Sequence, residues 1–208
     1  MKNLMKLSFM LLFTVALVFG FKQDASASMV HTVKTGDTMW KIAVKYQVGV
    51  TEIIQANPQV SNPNFIYPGQ SLNIPSTAAA TMNMEAEVVK LVNQERAKAG
   101  LKPLKENWEL SRVARFKSQD MIDRRYFDHH SPTYGTPFKM MTDFGITYRS
   151  AGENIAAGQT SAQAVVNAWM NSDGHRKNIL SSHYTEIGVG YVKGGSYGHY
   201  WTQMFISR

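Results

Sequence analysis

The strongest constraint on this chain is a break. Residues 29–75 end in Ile74-Pro75, and the next six residues, Ser76-Thr77-Ala78-Ala79-Ala80-Thr81, carry no apolar periodicity. One continuous core cannot run through such a stretch, so the chain reads as two folding units with a linker at 76–83. The second unit, residues 84–208, is long enough to bury a core of its own. The first, residues 29–75, is near the lower limit for independent folding.

A third segment precedes both. Lys2 and Lys6 stand before an apolar run of 15 residues, Leu7 to Phe21, followed by Ala25-Ser26-Ala27. The run is shorter than the roughly 20 residues of a membrane span. A basic start, an apolar middle and a small-x-small site read as a secretory signal peptide over residues 1–27. An uncleaved anchor is the alternative. Cysteine is absent, which removes a lipoprotein anchor, a disulfide framework, a zinc–thiolate site and a Cys nucleophile. No later run is long enough to span a bilayer. The expectation is an exported protein with no stable membrane anchor.

The formal net charge is +7. Residues 1–27 hold three lysines and one aspartate, so their removal leaves +5. That excess suits weak attraction to anionic polymers. The basic residues are dispersed, and only Arg124-Arg125 and Arg176-Lys177 are adjacent. With export added, this argues against nucleic acid as the partner.

In the first unit, Val30-His31-Thr32-Val33 alternates like a strand. Asp37 is placed as an N-cap, and Met39, Ile42, Ala43 and Tyr46 follow at helical spacing. A second short helix runs from Thr51, its cap, to Ala56, with Ile53 and Ile54 inward. Asn57-Pro58 stops it. Tyr67-Pro68-Gly69-Gln70 reads as a turn and Ser71-Leu72-Asn73-Ile74 as a closing strand. Helical spacing also favours Trp40 and Ile42 as core residues rather than ligand contacts.

Val33-Lys34-Thr35-Gly36-Asp37-Thr38-Met39-Trp40-Lys41-Ile42-Ala43, Asn57, and Tyr67 to Pro75 together resemble a LysM module. The resemblance covers the whole βααβ segment. It implies binding of N-acetylglucosamine glycans, chiefly peptidoglycan or chitin. It also implies a shallow groove between the loop Gly36, Asp37, Thr38, Met39 and the stretch from Asn62 to Tyr67. Ile66 would lie on the sugar face.

In the second unit, Val88, Val89, Leu91 and Val92 mark a helix stopped at Gly100. A helix capped by Asn107 follows, with Leu110, Val113, Ala114, Met121 and Ile122 as its inner stripe. Pro137 to Phe144 is a short helix. Ser161 caps another, with Val165, Val166 and Trp169. Residues 151–156 form a strand or loop, and 187–192 and 200–205 form strands. Helices followed by a hairpin suggest an α+β layered domain.

Glu153 stands out, a carboxylate among small apolar residues. A buried carboxylate must be paired or coordinated. With His129 and His175 it would make the ligand set of an open metal site, such as zinc with water in the fourth position. The other reading is plain: Glu153 caps backbone N–H groups, and both histidines are ordinary loop residues.

Five stretches, in order, then resemble the bacterial branch of the CAP superfamily, the SCP-like extracellular domains. They are Asn93-Gln94-Glu95-Arg96 with Gly100 to Leu104; Phe127 to Pro132; Gly152 to Ala156; Gly174 to Leu180; and Tyr200-Trp201-Thr202-Gln203. The resemblance covers nearly all of residues 84–208 and implies an α-β-α sandwich with a central cleft. Family members often carry two His and two Glu there, which in some bind a divalent metal. By motif, His129 and Glu153 match. Ser172 stands where eukaryotic members tend to have the second Glu, and Tyr200 where they tend to have the second His. His175 takes that place in the bacterial motif, with His199 as a rival.

The expected function is that of an exported, cell-wall-associated protein. The LysM module would bind peptidoglycan, and the CAP domain would present a His/Glu cleft to a ligand the residues do not name. The alternative is a metal-assisted hydrolase of wall polymer or peptide, with water activated by His129, His175 and Glu153. Spore association lies within the same range of locations, and no residue selects it.

Overall fold

The computed structural model describes residues 29–77 and 79–208. The expected signal peptide lies outside the described residues. Buried apolar clusters lie on each side of the break, one in the small module and three in the larger unit.

The small module has the order β1 (Met29–Thr32), α1 (Met39–Tyr46), α2 (Val50–Gln55), β2 (Ser71–Ile74). The two strands pair antiparallel, with His31 opposite Leu72. Met39, Ile42 and Ala43 form the buried stripe of α1 and pack with Ile53, Leu72 and Ile74. Trp40 is 58 % exposed and overturns the expectation that it is core. The stripe itself explains this: positions 39, 42 and 43 share a helix face, and position 40 lies about 100° away from 39. The helix starts also differ from expectation. Thr38, not Asp37, caps α1 by accepting from the Lys41 N–H. Gly49, not Thr51, stands at the start of α2. Of the two isoleucines placed inward, Ile53 is fully buried and Ile54 only partly. Asn57 is buried and joins α2 to β2. Its Nδ2 donates to Ile53 O and Asn73 O, and its Oδ1 accepts from the Asn73 N–H.

The larger unit begins earlier than the composition suggests. Helix α3 (Ala79–Lys98) includes residues 79–83, read above as linker. Alanine's helix propensity lets the helix extend backward without apolar periodicity. There follow β3 (Lys105–Glu106), α4 (Trp108–Asp123), α5 (Pro137–Asp143), β4 (Ser150–Ala157), α6 (Ala162–Met170), α7 (Asp173–Ile179), β5 (Glu186–Lys193) and β6 (His199–Ser207). The strands form one sheet in the order β3-β5-β6-β4. Leu110, Val113 and Ala114 of α4, with Met140 and Met141 of α5, cover one face against Met204 and Ile206. Residues of α3, α6 and α7 cover the other against Trp201 and Phe205. This is an α-β-α sandwich. Asn107 and Ser161 cap α4 and α6 as their spacing predicts.

Helix α4 lies unusually close to β5. A Cβ at Gly190 would stand 2.1 Å from Arg115 N, and one at Gly188 would stand 2.4 Å from the Leu110 carbonyl carbon. Only glycine permits that approach. Closeness of α4 to the sheet in turn fixes where the loop after α4 emerges.

The two units meet through Glu52 of α2 and Arg112 of α4, whose guanidinium holds the carboxylate with two nitrogens. The guanidinium carbon sits 5.3 Å from the ring centroids of both Phe116 and Phe144. Two crevices of about 340 Å³ each line this junction, one including Gln47 and Glu85, the other Glu52 and Phe144.

Candidate functional site

In the sandwich, Glu153 lies on β4, an edge strand. Its side chain is 1 % exposed. His129 comes from the loop after α4, and its Nδ1 lies 2.7 Å from Glu153 Oε1. The other carboxyl oxygen, Oε2, is buried with no hydrogen-bond partner among the described residues. Burial pushes the Glu153 carboxyl above its ordinary range, against the opposing effects of the His129 bond and the charge of Lys117. The same bond pushes the His129 imidazole up, more than its partial burial pushes it down.

His175 behaves differently. It sits on α7, partly buried, and its Nδ1 also lacks a partner. Burial, with the charge of His129 second, lowers its pKa. Its main chain is anchored instead: Asn154 Nδ2 donates to His175 O at 3.2 Å and to Gln203 Oε1 at 2.9 Å. Asn178 Nδ2 donates to Asn154 Oδ1 and to Glu153 O. Buried Arg96 donates to Ile179 O and Ser181 O and so holds the end of α7. His199 pairs elsewhere, with Tyr191 Oη at 2.7 Å.

The structure therefore brings His129 and Glu153 together and keeps His175 nearby without bonding it to either. Among the described residues, no group of three or more His, Cys, Asp or Glu side chains is placed to hold a metal ion. Strand alternation explains part of this. Glu153 and its neighbour Asn154 point to opposite faces of β4, and α7 docks on the Asn154 side. Nor do these three residues line either crevice at the junction.

In the small module, Gly36 takes the left-handed conformation at φ 85°. The loop it opens is held from beneath. His31 is 4 % exposed. Its Nε2 lies 2.9 Å from Asp37 Oδ2 and its Nδ1 lies 3.0 Å from Tyr46 Oη. Asp37 Oδ2 also accepts from the Lys34 N–H, and these bonds, the backbone one first, keep its carboxyl below the ordinary range. Lys41 Nζ donates to Gly36 O at 2.7 Å. Gly36, Thr38 and Asn62 are exposed, and Ile66 is partly buried against the module core. Met39 is different, being 6 % exposed, with its side chain within the core.

Sequence reasoning includes Phe65 and Tyr67, which flank Ile66, only within the stretch from Asn62 to Tyr67 and does not single out their rings. Both rings are exposed, at 63 % and 66 %. The signal was available: two aromatics inside an Asn/Pro-rich loop have no apolar period to bury them.

Fold and site together define a two-module protein: a small βααβ unit with an exposed loop pair, and an α-β-α sandwich with a His/Glu pair at its sheet edge. The chain belongs to the CAP family, described as the cysteine-rich secretory protein family, whose model matches residues 89–205. A LysM domain matches residues 31–75. Family membership here comes without any cysteine.

The chain is 59 % identical over 134 residues to the Bacillus subtilis (strain 168) protein YkwD, covering 64 % of this chain and 50 % of that one. It is 49 % identical over 47 residues to SpoIVD-associated factor A of the same organism, covering 23 % of this chain and 12 % of that one. Among solved structures, an extracellular protein containing a SCP domain from Bacillus anthracis superposes with TM-score 0.58 at 34 % identity, covering 68 % of this chain and 47 % of that one. The chain thus spans half or less of the length of these relatives. LysM and CAP domains on one chain support an extracellular protein associated with the cell wall.

Proposed function

We propose that this protein is exported and held at the wall by its LysM module, which binds N-acetylglucosamine glycan of peptidoglycan between the 36–39 loop and the 62–67 loop. The observation that carries this reading is the exposed pair of loops built on the His31–Asp37 contact, within a matched LysM domain. Backbone groups and small polar side chains there suit an acetamide, and the Phe65 and Tyr67 rings suit a sugar face. The CAP domain presents the His129–Glu153 pair to a ligand at the wall, where tethering raises its effective concentration. The likeness to SpoIVD-associated factor A supports the spore as one location for such a protein.

Retention on purified peptidoglycan sacculi tests this. With residues 36–39 replaced by a polar loop of equal length, retention is expected to be lost. Retention equal to that of the unchanged chain would sink the reading.

A second reading has one observation behind it, the buried, unpartnered Glu153 Oε2 beside His129. A carboxyl raised by burial serves well as a general acid or base. A hydrolase of wall polymer or peptide would use it so. Glu153→Gln should then abolish release of soluble fragments from sacculi, and unaltered release would remove this reading.

A further inference from the structure

Helix α4 turns a cation inward where its stripe calls for an apolar residue. Lys117 is fully buried. Burying an ammonium costs several kcal/mol unless its donors are well used. Here Nζ lies 2.7 Å from Asp128 O, 2.8 Å from His129 O and 3.1 Å from Tyr126 Oη. An ammonium has three N–H donors, so its capacity is filled. All three acceptors belong to the segment that delivers His129.

One turn further along α4, Asp120 grips the same segment. Its Oδ2 accepts from Tyr126 Oη at 2.6 Å and Ser131 Oγ at 2.7 Å, and its Oδ1 from Thr133 Oγ1. Residues 126–133 are thus pinned on both sides of His129 by buried charges of α4. His129 itself is about half exposed, with little packing of its own to orient it. Its ring is hydrogen-bonded at Nδ1 to Glu153, and its backbone carbonyl is held by Lys117.

We propose that Lys117 is a positioning residue of the candidate site: its ammonium fixes the Asp128 and His129 carbonyls and thereby sets the His129 imidazole against Glu153. This deepens, and rests on, the reading of the His129–Glu153 pair as the working site of the CAP domain. Shape alone does not require the cation, since methionine would fill much the same volume without donors.

The test reads the contact itself and needs no wall polymer. In chelator-treated protein, the ¹⁵N shift of His129 Nδ1 is measured with and without Glu153→Gln, first in the unchanged chain and then in Lys117→Met. In the unchanged chain the substitution moves the signal. In Lys117→Met its effect is expected to fall roughly threefold or more, as for a coupled pair whose coupling is removed. An equal response in both backgrounds would overturn the proposal, even if Lys117→Met lowers thermal stability. If Lys117→Met does not fold, the unchanged chain still decides. Lys117 Nζ protons should exchange slowly with solvent and show hydrogen-bond couplings to the Asp128 and His129 carbonyls, and fast exchange without such couplings would refute it. Whether the pair acts on a ligand is read separately by Glu153→Gln on sacculi, so the two failures are distinguishable.

Discussion

His129 Nδ1 and Glu153 Oε1 lie 2.7 Å apart, one on a loop and the other on an edge strand. This contact raises the imidazole from its ordinary value of 6.5. A raised folded-state pKa means that the native state holds the proton more tightly than the unfolded chain. Its stabilising contribution is full below the unfolded value and is lost as pH rises through the folded one. Glu153, also raised, acts in the same sense from about 4.5 upward. Glu153→Gln should therefore lower the His129 pKa and flatten the fall of Tm as pH rises above 6.5. A Tm–pH slope identical to that of the unchanged chain would show that the contact is not formed in solution.

Gly190 makes a sharper stability prediction. A methyl group there would meet the α4 backbone at Ala114 and Arg115, which cannot move aside as a side-chain tip can. Gly190→Ala should cost about 3 kcal/mol, at the upper end for overpacking. Gly174→Ala, with open space around it, is the control. Denaturant unfolding of both variants checks the contrast.

At the junction, the Arg112–Glu52 pair should couple the two modules weakly. A double-mutant cycle is expected to give about 1 kcal/mol at low salt and less at high salt, because both side chains are partly exposed. The same variants should increase cleavage near residues 76–79 in limited proteolysis. Coupling that does not change with salt would contradict an ion-pair junction.

Phe65→Ala and Tyr67→Ala should weaken binding to N-acetylglucosamine oligomers roughly tenfold each, the loss expected of one aromatic contact worth about 1.4 kcal/mol. Because both rings are exposed, the melting temperature should hardly change. Calorimetry and thermal melts on the same samples separate the two effects. Unaltered affinity would move the glycan contact away from this loop.

Periodicity and capping exposed much of this architecture. Asn107 and Ser161 announced their helices because a side-chain acceptor before an apolar stripe has few other uses. The βααβ order was legible from alternation, helical spacing and turn residues, and the sandwich came through the motif resemblance. Glu153 was visible as a carboxylate in apolar company. What stayed hidden depends on three-dimensional approach. Parallel pairing joins β3, only two residues long, to β5 far along the sequence, and so short a strand carries no period. The burial of Lys117 is not legible, because no one-dimensional pattern shows that a loop about ten residues later folds back over it. His175 stands apart from the His129–Glu153 contact because α7 docks through Asn154, on the strand face away from Glu153. Ile187-Gly188-Val189-Gly190, by contrast, held a legible clue: alternating glycines within a strand mark a close backbone neighbour.

Sheet order has a further consequence. β6 is the last element in chain order, yet it lies between β5 and β4. β4 pairs with β6 alone along its length, so the strand that bears Glu153 has nothing to zip onto until β6 is available. A chain emerging from its N-terminal end therefore carries β4 unpaired from the completion of residue 157 until residues 199–207 follow. The domain's critical period is the wait for residues 199–207, and a chaperone or translocation machinery that shortened that wait would act on yield rather than on final stability.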